Sequence, residues 1–233
     1  MKGVLRGLLV IVCIGLIAGL VYARMDQGKE DPIVQKLFSG NKTFCDDNPT
    51  PKNIGKEKRQ ELTKGQHPFA TVLTCSDSRV APEYIFNQGL GDIFVVRVAG
   101  NVVEPTTLGS IEYAAEHLNT PLLVIMGHSQ CGAVKAAVES TGEAEGNIGA
   151  ILKKIMPAVE TAKKANKGKE ETLDIAIHEN IKNVYKDIMA NSKIVSHLVH
   201  EGKLKVVGAE YYLDSGQAEI IDLSSSWKSH KHN

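Results

Sequence analysis

Short apolar runs alternate with longer amphipathic stretches from Phe69 onward. Four of these runs are typical of buried strands, because they are rich in apolar and β-branched residues: 69–74, 93–98, 121–126 and 204–209. Helical spacing of apolar residues occupies three intervals, at 108–118, 148–165 and 173–190, with 168–171 separating the last two. Strands that alternate with helices predict an α/β fold with a mostly parallel central β-sheet flanked by helices. A last run at 218–223, after a turn at 211–216, predicts a C-terminal β-hairpin.

The residues before this pattern are mixed and polar. Val34, Leu37 and Phe38 share one face of a predicted short helix that ends at Gly40. This stretch has too few apolar residues for a core of its own. The sequence therefore predicts an N-terminal helical arm at 24–68 that lies along another surface, an α/β domain at 69–223, and a polar tail at 224–233.

The first 23 residues form a separate unit. Lys2 and Arg6 precede an uncharged run at 7–23 that ends in Val21-Tyr22-Ala23. A charged start, an apolar middle and a small-residue end predict a secretory signal peptide, and hence a periplasmic or otherwise exported protein. The alternative is an N-terminal membrane anchor, because the run lies at the lower edge of the length that spans a bilayer. An uncleaved leader would then associate the N-terminus with a membrane.

Charge and cysteine content narrow the choice of partners. The chain has 27 basic and 27 acidic residues, which argues against a nucleic-acid partner or an anionic membrane surface. Beyond the leader the chain carries Cys45, Cys75 and Cys131. An exported compartment permits disulfides, so Cys45 could pair with a copy of itself in a second chain. We favour a free thiol.

Cys75, His128 and Cys131 form the most informative pattern in the chain. Cys75 follows the first predicted strand, and His128 and Cys131 follow the third, so all three belong to the strand ends where open parallel sheets bind ligands. Two thiolates and one imidazole suit zinc, and catalytic zinc sites keep three protein ligands plus water. One alternative is that the cysteines are only buried apolar residues. A structural zinc site, the other alternative, would need a fourth ligand, which only Asp77 offers.

Asp77 and Arg79 stand beside the first cysteine in the segment Cys75-Ser-Asp77-Ser-Arg79. Arginine binds a carboxylate through two parallel hydrogen bonds and stays charged. Such a pair would keep Asp77 ionised and away from the metal, so that its carboxylate could accept the proton of a zinc-bound hydroxide. The alternative is an ordinary structural ion pair.

These residues resemble the β-class carbonic anhydrases, and in particular their plant-like branch. Cys75-Ser-Asp-Ser-Arg-Val80 and Gly127-His-Ser-Gln-Cys-Gly132 match the two signature segments of that family. Supporting matches are Phe94-Val-Val-Arg-Val-Ala-Gly-Asn101, Ser110-Ile-Glu-Tyr-Ala114, and Glu201 to Ala209 followed by Asp214-Ser-Gly216. The resemblance extends from about Val34 to Leu223.

The resemblance implies an activity and a set of roles. The activity is reversible hydration of CO₂ to bicarbonate and a proton, by attack of zinc-bound hydroxide, with one Zn²⁺ per subunit. Cys75, His128 and Cys131 would be the ligands, and Asp77 and Arg79 the catalytic dyad. Gln66, Phe94 and Tyr113 would bind substrate from a second subunit, which implies a homodimer or a dimer of dimers.

One departure and three alternatives accompany this interpretation. Ala99 stands where the plant-like pattern has a larger aliphatic residue, so a wider pocket is expected. Hydrolysis of CS₂ or COS on the same fold would use the same ligands. A non-enzymatic zinc-binding protein would be expected to lack Asp77 or Arg79, and both are present. A thiol redox protein would usually show a Cys-x-x-Cys pair, which this sequence does not contain.

Overall fold

The structure is a computed structural model that describes residues 31–50, 52, 54–142 and 146–224. Its strands are β1 Ala70–Thr74, β2 Ile93–Arg97, β3 Leu122–His128, β4 Lys205–Tyr211 and β5 Ala218–Ile221. Its helices are α1 Pro32–Cys45, α2 Lys56–Leu62, α3 Pro82–Ile85, α4 Pro105–Glu112, α5 Gly132–Glu139, α6 Ile148–Lys164, α7 Lys169–Asn191 and α8 Lys193–His200. A 3₁₀ turn at Ala99–Asn101 follows β2, and a π-helical turn at Tyr113–His117 continues α4.

The five strands form one sheet in the order β2-β1-β3-β4-β5. The first four strands are parallel, and β5 pairs antiparallel with β4 as the predicted hairpin. The predicted α/β class is therefore confirmed. β2 lies on one side of β1 and β3 on the other, so the strand order reverses direction at β1. The crevice between the carboxyl ends of β1 and β3 is therefore where an open α/β sheet binds its ligand.

Alternation of side chains along the buried strands creates two cores. In β3, Leu122, Val124 and Met126 face one core, whereas Leu123 and Ile125 face the other. The first core is covered by the side chains of α1 and α3, and the second by those of α4, α7 and α8. Strands covered on both faces are nearly all apolar, which is why the sequence shows them as unbroken runs.

Helix α1 of the predicted arm packs as part of the first core. Leu37 of α1 is fully buried there, as expected for an element that cannot make its own core. The predicted end of the helix at Gly40 was wrong, because α1 continues to Cys45. Gly40 lies in the interior of α1. A glycine is needed there because a Cβ atom would collide with the carbonyl oxygen of Phe86. This glycine permits close packing and does not terminate the helix.

Other differences concern element ends. Strand β3 extends to His128, and α7 begins at Lys169, within the predicted separator. The helices α2, α3 and α8 were not predicted, since α2 and α3 are short and α8 directly follows α7. The predicted leader at 1–23 and all but the first residue of the tail lie outside the described residues. Within the described part of the chain, no helix combines the length and the apolarity needed to cross a membrane.

Candidate metal centre and its surroundings

Three buried ligand atoms meet at the carboxyl ends of β1 and β3. Cys75 directly follows β1, His128 is the last residue of β3, and Cys131 caps the N-terminus of α5. Their potential ligand atoms all lie within 4.8 Å of one another. Among the described residues this is the one group of three or more Cys, His, Asp or Glu side chains close enough to share a metal ion.

The histidine is oriented for metal binding. Its Nδ1 atom lies 2.9 Å from the carbonyl oxygen of Ser129, which accepts a hydrogen bond from the protonated nitrogen. The opposite nitrogen, Nε2, is buried and has no hydrogen-bond partner. A buried polar atom without a partner is costly, and a metal ion would satisfy it. A backbone carbonyl that fixes the ring through its other nitrogen is the usual support for a metal-bound histidine.

The thiols of Cys75 and Cys131 are also suited to binding a metal ion. A hydrogen bond from the Cys131 side chain lowers the pKa of Cys75 to about 4, and His128 and the Gly100 amide act in the same direction. Contact with Cys75 and burial together raise the pKa of Cys131. Two adjacent buried sulfurs therefore hold one proton between them. A dication replaces that proton and neutralises both thiolates, so this donor set suits zinc.

The backbone around Cys75 is held from β2 and from the turn after it. The Arg97 guanidinium donates from Nε to the Cys75 carbonyl at 3.1 Å and from its Nη2 atom to the Asp77 carbonyl at 2.6 Å. The Gly100 amide donates to the Cys75 sulfur at 3.3 Å. Sequence reasoning missed these two supports, although both lie in the segment Phe94 to Asn101 that was noted for its resemblance. Their position at the carboxyl end of β2 was the available signal.

Asp77 and Arg79 form a bidentate pair beside the metal ligands. The arginine donates from Nε to Oδ1 at 2.9 Å and from Nη2 to Oδ2 at 2.8 Å, and its amide donates to Oδ1 at 3.0 Å. These hydrogen bonds hold the pKa of Asp77 well below its ordinary value. Asp77 Oδ2 lies 3.9 Å from His128 Nε2. The carboxylate is thus adjacent to the centre while both of its oxygens are bound by Arg79.

The three predicted substrate residues lie apart from the ligands of their own chain. Gln66 is exposed in the segment before β1. Phe94 pairs with Thr71, four residues before Cys75, which corresponds to about 13 Å along the strand at about 3.3 Å per residue. Tyr113 is 46% exposed, and its ring centroid lies 6.2 Å from that of Phe94. The structure brings Phe94 and Tyr113 together on one surface, and it does not bring them to the carboxyl ends of β1 and β3.

Comparison with known proteins agrees with this geometry. The family model described as "Carbonic anhydrase" matches residues 70–218. Carbonic anhydrase 2 of Mycobacterium tuberculosis is 37% identical over 190 residues, which cover 80% of this chain and 90% of the relative.

Solved structures give the same result. A β-carbonic anhydrase of Aspergillus fumigatus superimposes with a TM-score of 0.67 at 29% identity, covering 72% of this chain and 82% of the other. One of the two tetrameric β-carbonic anhydrases of Sordaria macrospora gives 0.63 at 26% identity, covering 88% and 97%. With the Cys75-His128-Cys131 centre, these matches show that the chain belongs to the β-class carbonic anhydrases, zinc enzymes that interconvert carbon dioxide and bicarbonate.

Proposed function

We propose that this chain hydrates carbon dioxide at a site assembled from two copies of itself. Cys75, His128 and Cys131 of one copy hold the zinc ion, and Asp77 with Arg79 orients the attacking group. Gln66, Phe94 and Tyr113 of the second copy form the pocket for carbon dioxide. The single observation that carries the proposal is the bidentate Arg79–Asp77 pair next to three preformed ligands.

The ligand set determines what the centre can do. Zinc, when bound, would act as a Lewis acid that lowers the pKa of water from about 15.7 toward about 7 and so provides a nucleophile near neutral pH. Cys75, His128 and Cys131 would hold the ion with three protein ligands and leave a position for that water. Arg79 occupies both carboxylate oxygens of Asp77, which disfavours Asp77 as a fourth ligand.

Asp77 performs the orienting step. Because Arg79 keeps it ionised, the carboxylate accepts a hydrogen bond and donates none. An acceptor 3.9 Å from His128 Nε2 would receive a hydrogen bond from the nucleophile and so direct its lone pair outward. The lone pair would form a new bond to the carbon of carbon dioxide while one C=O π pair moves to its oxygen, which gives bicarbonate. A proton passes to solvent in each cycle.

The second copy supplies the apolar side of the pocket. Phe94 and Tyr113 form an aromatic pair on a partly exposed surface, and the exposed Gln66 offers an amide for hydrogen bonding. A two-fold axis that brings this surface over the partner's centre generates two equivalent sites at once. The tetrameric assembly of the relatives in Sordaria macrospora fits a homodimer or a dimer of dimers.

Export of the enzyme is the last part of the proposal. Lys2 and Arg6 before the uncharged run at 7–23 support a signal peptide, with a membrane anchor as the alternative. N-terminal sequencing of the full-length protein expressed in a bacterium, together with cell fractionation, distinguishes them. A mature chain in the periplasm that starts near Arg24 supports export, whereas an intact chain in the membrane fraction supports the anchor.

Stopped-flow hydration of carbon dioxide with a zinc assay on the same sample tests the chemistry. We expect fast hydration and about one zinc per chain. Full zinc without hydration would contradict the proposal, and a CS₂ assay on that sample would test the other substrate class.

A complementation experiment tests the two-copy arrangement. The variants Cys75→Ala, which damages the metal centre, and Gln66→Ala/Tyr113→Phe, which damages the pocket, are unfolded and refolded together. Roughly a quarter of wild-type activity should return, because half of the dimers are mixed and each holds one intact site. If all the residues acted within one chain, the mixture would show only about half of the residual activity of the pocket variant.

A further inference from the structure

We propose that Asn180 is a positioning residue for the Cys75 thiolate, acting through the backbone of Gly100. This inference rests on the proposed role of Cys75 as a zinc ligand and assigns a role to a residue far from the motifs. Asn180 lies in the middle of α7, is 1% exposed, and is separated from Gly100 by 80 positions in the sequence. It makes no contact with carbon dioxide in the proposed mechanism.

The contact chain has two hydrogen bonds. Asn180 Nδ2 donates to the Gly100 carbonyl oxygen at 2.9 Å. The amide of the same glycine donates to Cys75 Sγ at 3.3 Å. The side chain on α7 therefore fixes the peptide that directs a donor at the sulfur.

The turn at Gly100 needs such an anchor because of its conformation. Gly100 has φ 66° and ψ 16°, and Asn101 follows with φ 46°, so two consecutive residues are left-handed. A Cβ atom at Gly100 would lie 2.7 Å from Ile155 Cδ1 on α6 and 3.3 Å from Ala133 Cβ on α5. Only glycine fits here, and a bare glycine turn has wide conformational freedom. The hydrogen bond from Asn180 restricts that freedom where the N–H must face the sulfur.

Stability alone does not explain an asparagine at this position. Asn180 Oδ1 is buried without a hydrogen-bond partner, so half of the amide's polar atoms are unsatisfied. A buried amide oxygen without a partner costs free energy, which makes asparagine a poor choice here for stability alone. Asn41 is the contrasting case: its Nδ2 donates to Ile85 and Gly216, and its Oδ1 accepts from Ala218. Asn41 has the pattern of a structural residue, whereas Asn180 has one strong bond, to the turn beside the metal centre.

The expected effect is electronic and local. A hydrogen bond to a metal-bound thiolate withdraws electron density from the sulfur, and supports outside the ligand set commonly change metal affinity by about 10–100-fold. Loss of the Asn180 contact should let the Gly100 amide turn away, which leaves Cys75 a stronger electron donor. The cobalt-substituted protein reports this directly, because its thiolate-to-metal charge-transfer band moves to longer wavelength as the sulfur donates more strongly.

The test compares Asn180→Leu and Asn180→Ala with the matched control Asn41→Leu. We expect both Asn180 variants to shift the cobalt charge-transfer band to longer wavelength. Because the Gly100 turn would no longer hold Cys75 in position, we also expect them to release zinc to a chromophoric chelator on the order of tenfold faster. Asn41→Leu should lower the melting temperature more than Asn180→Leu does while keeping the wild-type band and rate of zinc release.

Several outcomes would overturn the inference. One is a wild-type band in both Asn180 variants, and another is an equal shift in Asn41→Leu, which would reflect general loosening. Failure of both Asn180 variants to fold would assign the residue to stability instead. A wild-type protein that binds neither zinc nor cobalt would overturn the proposed function, and the comparison of variants separates that failure from a failure of this inference alone.

Discussion

The metal half and the substrate half of the site are built in different ways. The metal half comes from neighbouring strands of one chain: three buried ligand atoms within 4.8 Å, supported by Arg97, Gly100 and Ser129. The proposed substrate half consists of Gln66, Phe94 and Tyr113, which are partly or largely exposed and remote from the ligands of their own chain. The interior of a single chain fixes the first group, whereas the second group faces outward.

This difference separates two requirements of the reaction. A chain that has folded correctly already has everything that zinc binding needs. In the proposed mechanism, catalysis needs in addition a surface that a second copy presents. Damage to the metal half should therefore change metal content and activity together, and damage to the substrate half should change activity alone.

The largest expected effect comes from removing a metal ligand. Cys75→Ala should lose most of its zinc, and its activity should fall by on the order of a thousandfold or more, because water is no longer activated near neutral pH. Zinc content and stopped-flow hydration measure the two effects. The matched control is Cys45→Ala, which removes a half-buried free thiol outside the centre and should keep both. Full zinc in Cys75→Ala would contradict the ligand assignment.

Asp77→Asn should separate zinc binding from catalysis within the metal half. The amide keeps the shape but weakens the pair with Arg79 and is a poorer proton acceptor, so kcat should fall by about a hundredfold. Zinc content should stay at the wild-type level, since the three ligands are unchanged. Arg79→Lys keeps the positive charge without the bidentate geometry and should give a smaller loss. A wild-type kcat in Asp77→Asn would show that the Asp77–Arg79 ion pair has only a structural role.

Gln66→Leu tests the substrate half. Loss of one neutral hydrogen bond should lower kcat/KM by about three- to tenfold, with zinc content unchanged. Dilution of the wild-type enzyme sharpens the same point, because activity per chain should fall as the copies dissociate while zinc stays bound. Activity per chain that holds constant at concentrations where light scattering detects only monomers would contradict a shared site.

The smallest expected effect concerns stability and lies outside both halves. Burial, together with the neighbouring carboxyl groups of Asp174 and Glu219, raises the pKa of Glu210 from its ordinary 4.5 to about 8. The folded state therefore holds this proton more tightly than the unfolded state. The contribution of the Glu210 carboxyl group to the free energy of unfolding is fully present below about pH 4.5, and it is lost as the pH rises toward 8.

Glu210→Gln is the test of that titration. The amide cannot ionise, so the melting temperature of the variant should exceed that of the wild type by a few degrees at pH 8 and differ less at pH 5. Hydration rates should be the same in both proteins. A parallel pH dependence of melting in the two proteins would contradict the assignment to Glu210.

The sequence was sufficient to predict the metal centre because the order of the strands alone brings its ligands to one edge of the sheet. Cys75 and His128 follow strands that are each recognisable from an apolar run, and parallel neighbours end at the same edge. The pairing of Asp77 with Arg79 was equally accessible, because both residues lie in the short loop after β1.

The supporting contacts could not be predicted in this way. Arg97 reaches across to the Cys75 carbonyl from the adjacent strand, and Asn180 reaches Gly100 from a helix 80 positions away. Such contacts depend on side-chain direction and helix packing, which carry no periodic signal. Gly40 illustrates the same limit: a glycine that terminates a helix and one that permits close packing are identical in the sequence, and only the position of Phe86 distinguishes them.

The parallel pairing of β1 with β3 also determines when this enzyme can acquire its metal. In a zinc finger the ligands are close in sequence, so the ion drives folding of a short segment. Here Cys75 and His128 are 53 positions apart, and they meet only when β1 pairs with β3. Contacts that distant in sequence form late and slowly. We therefore expect zinc uptake to follow formation of the sheet, so that a metal-free chain already has its native strand order.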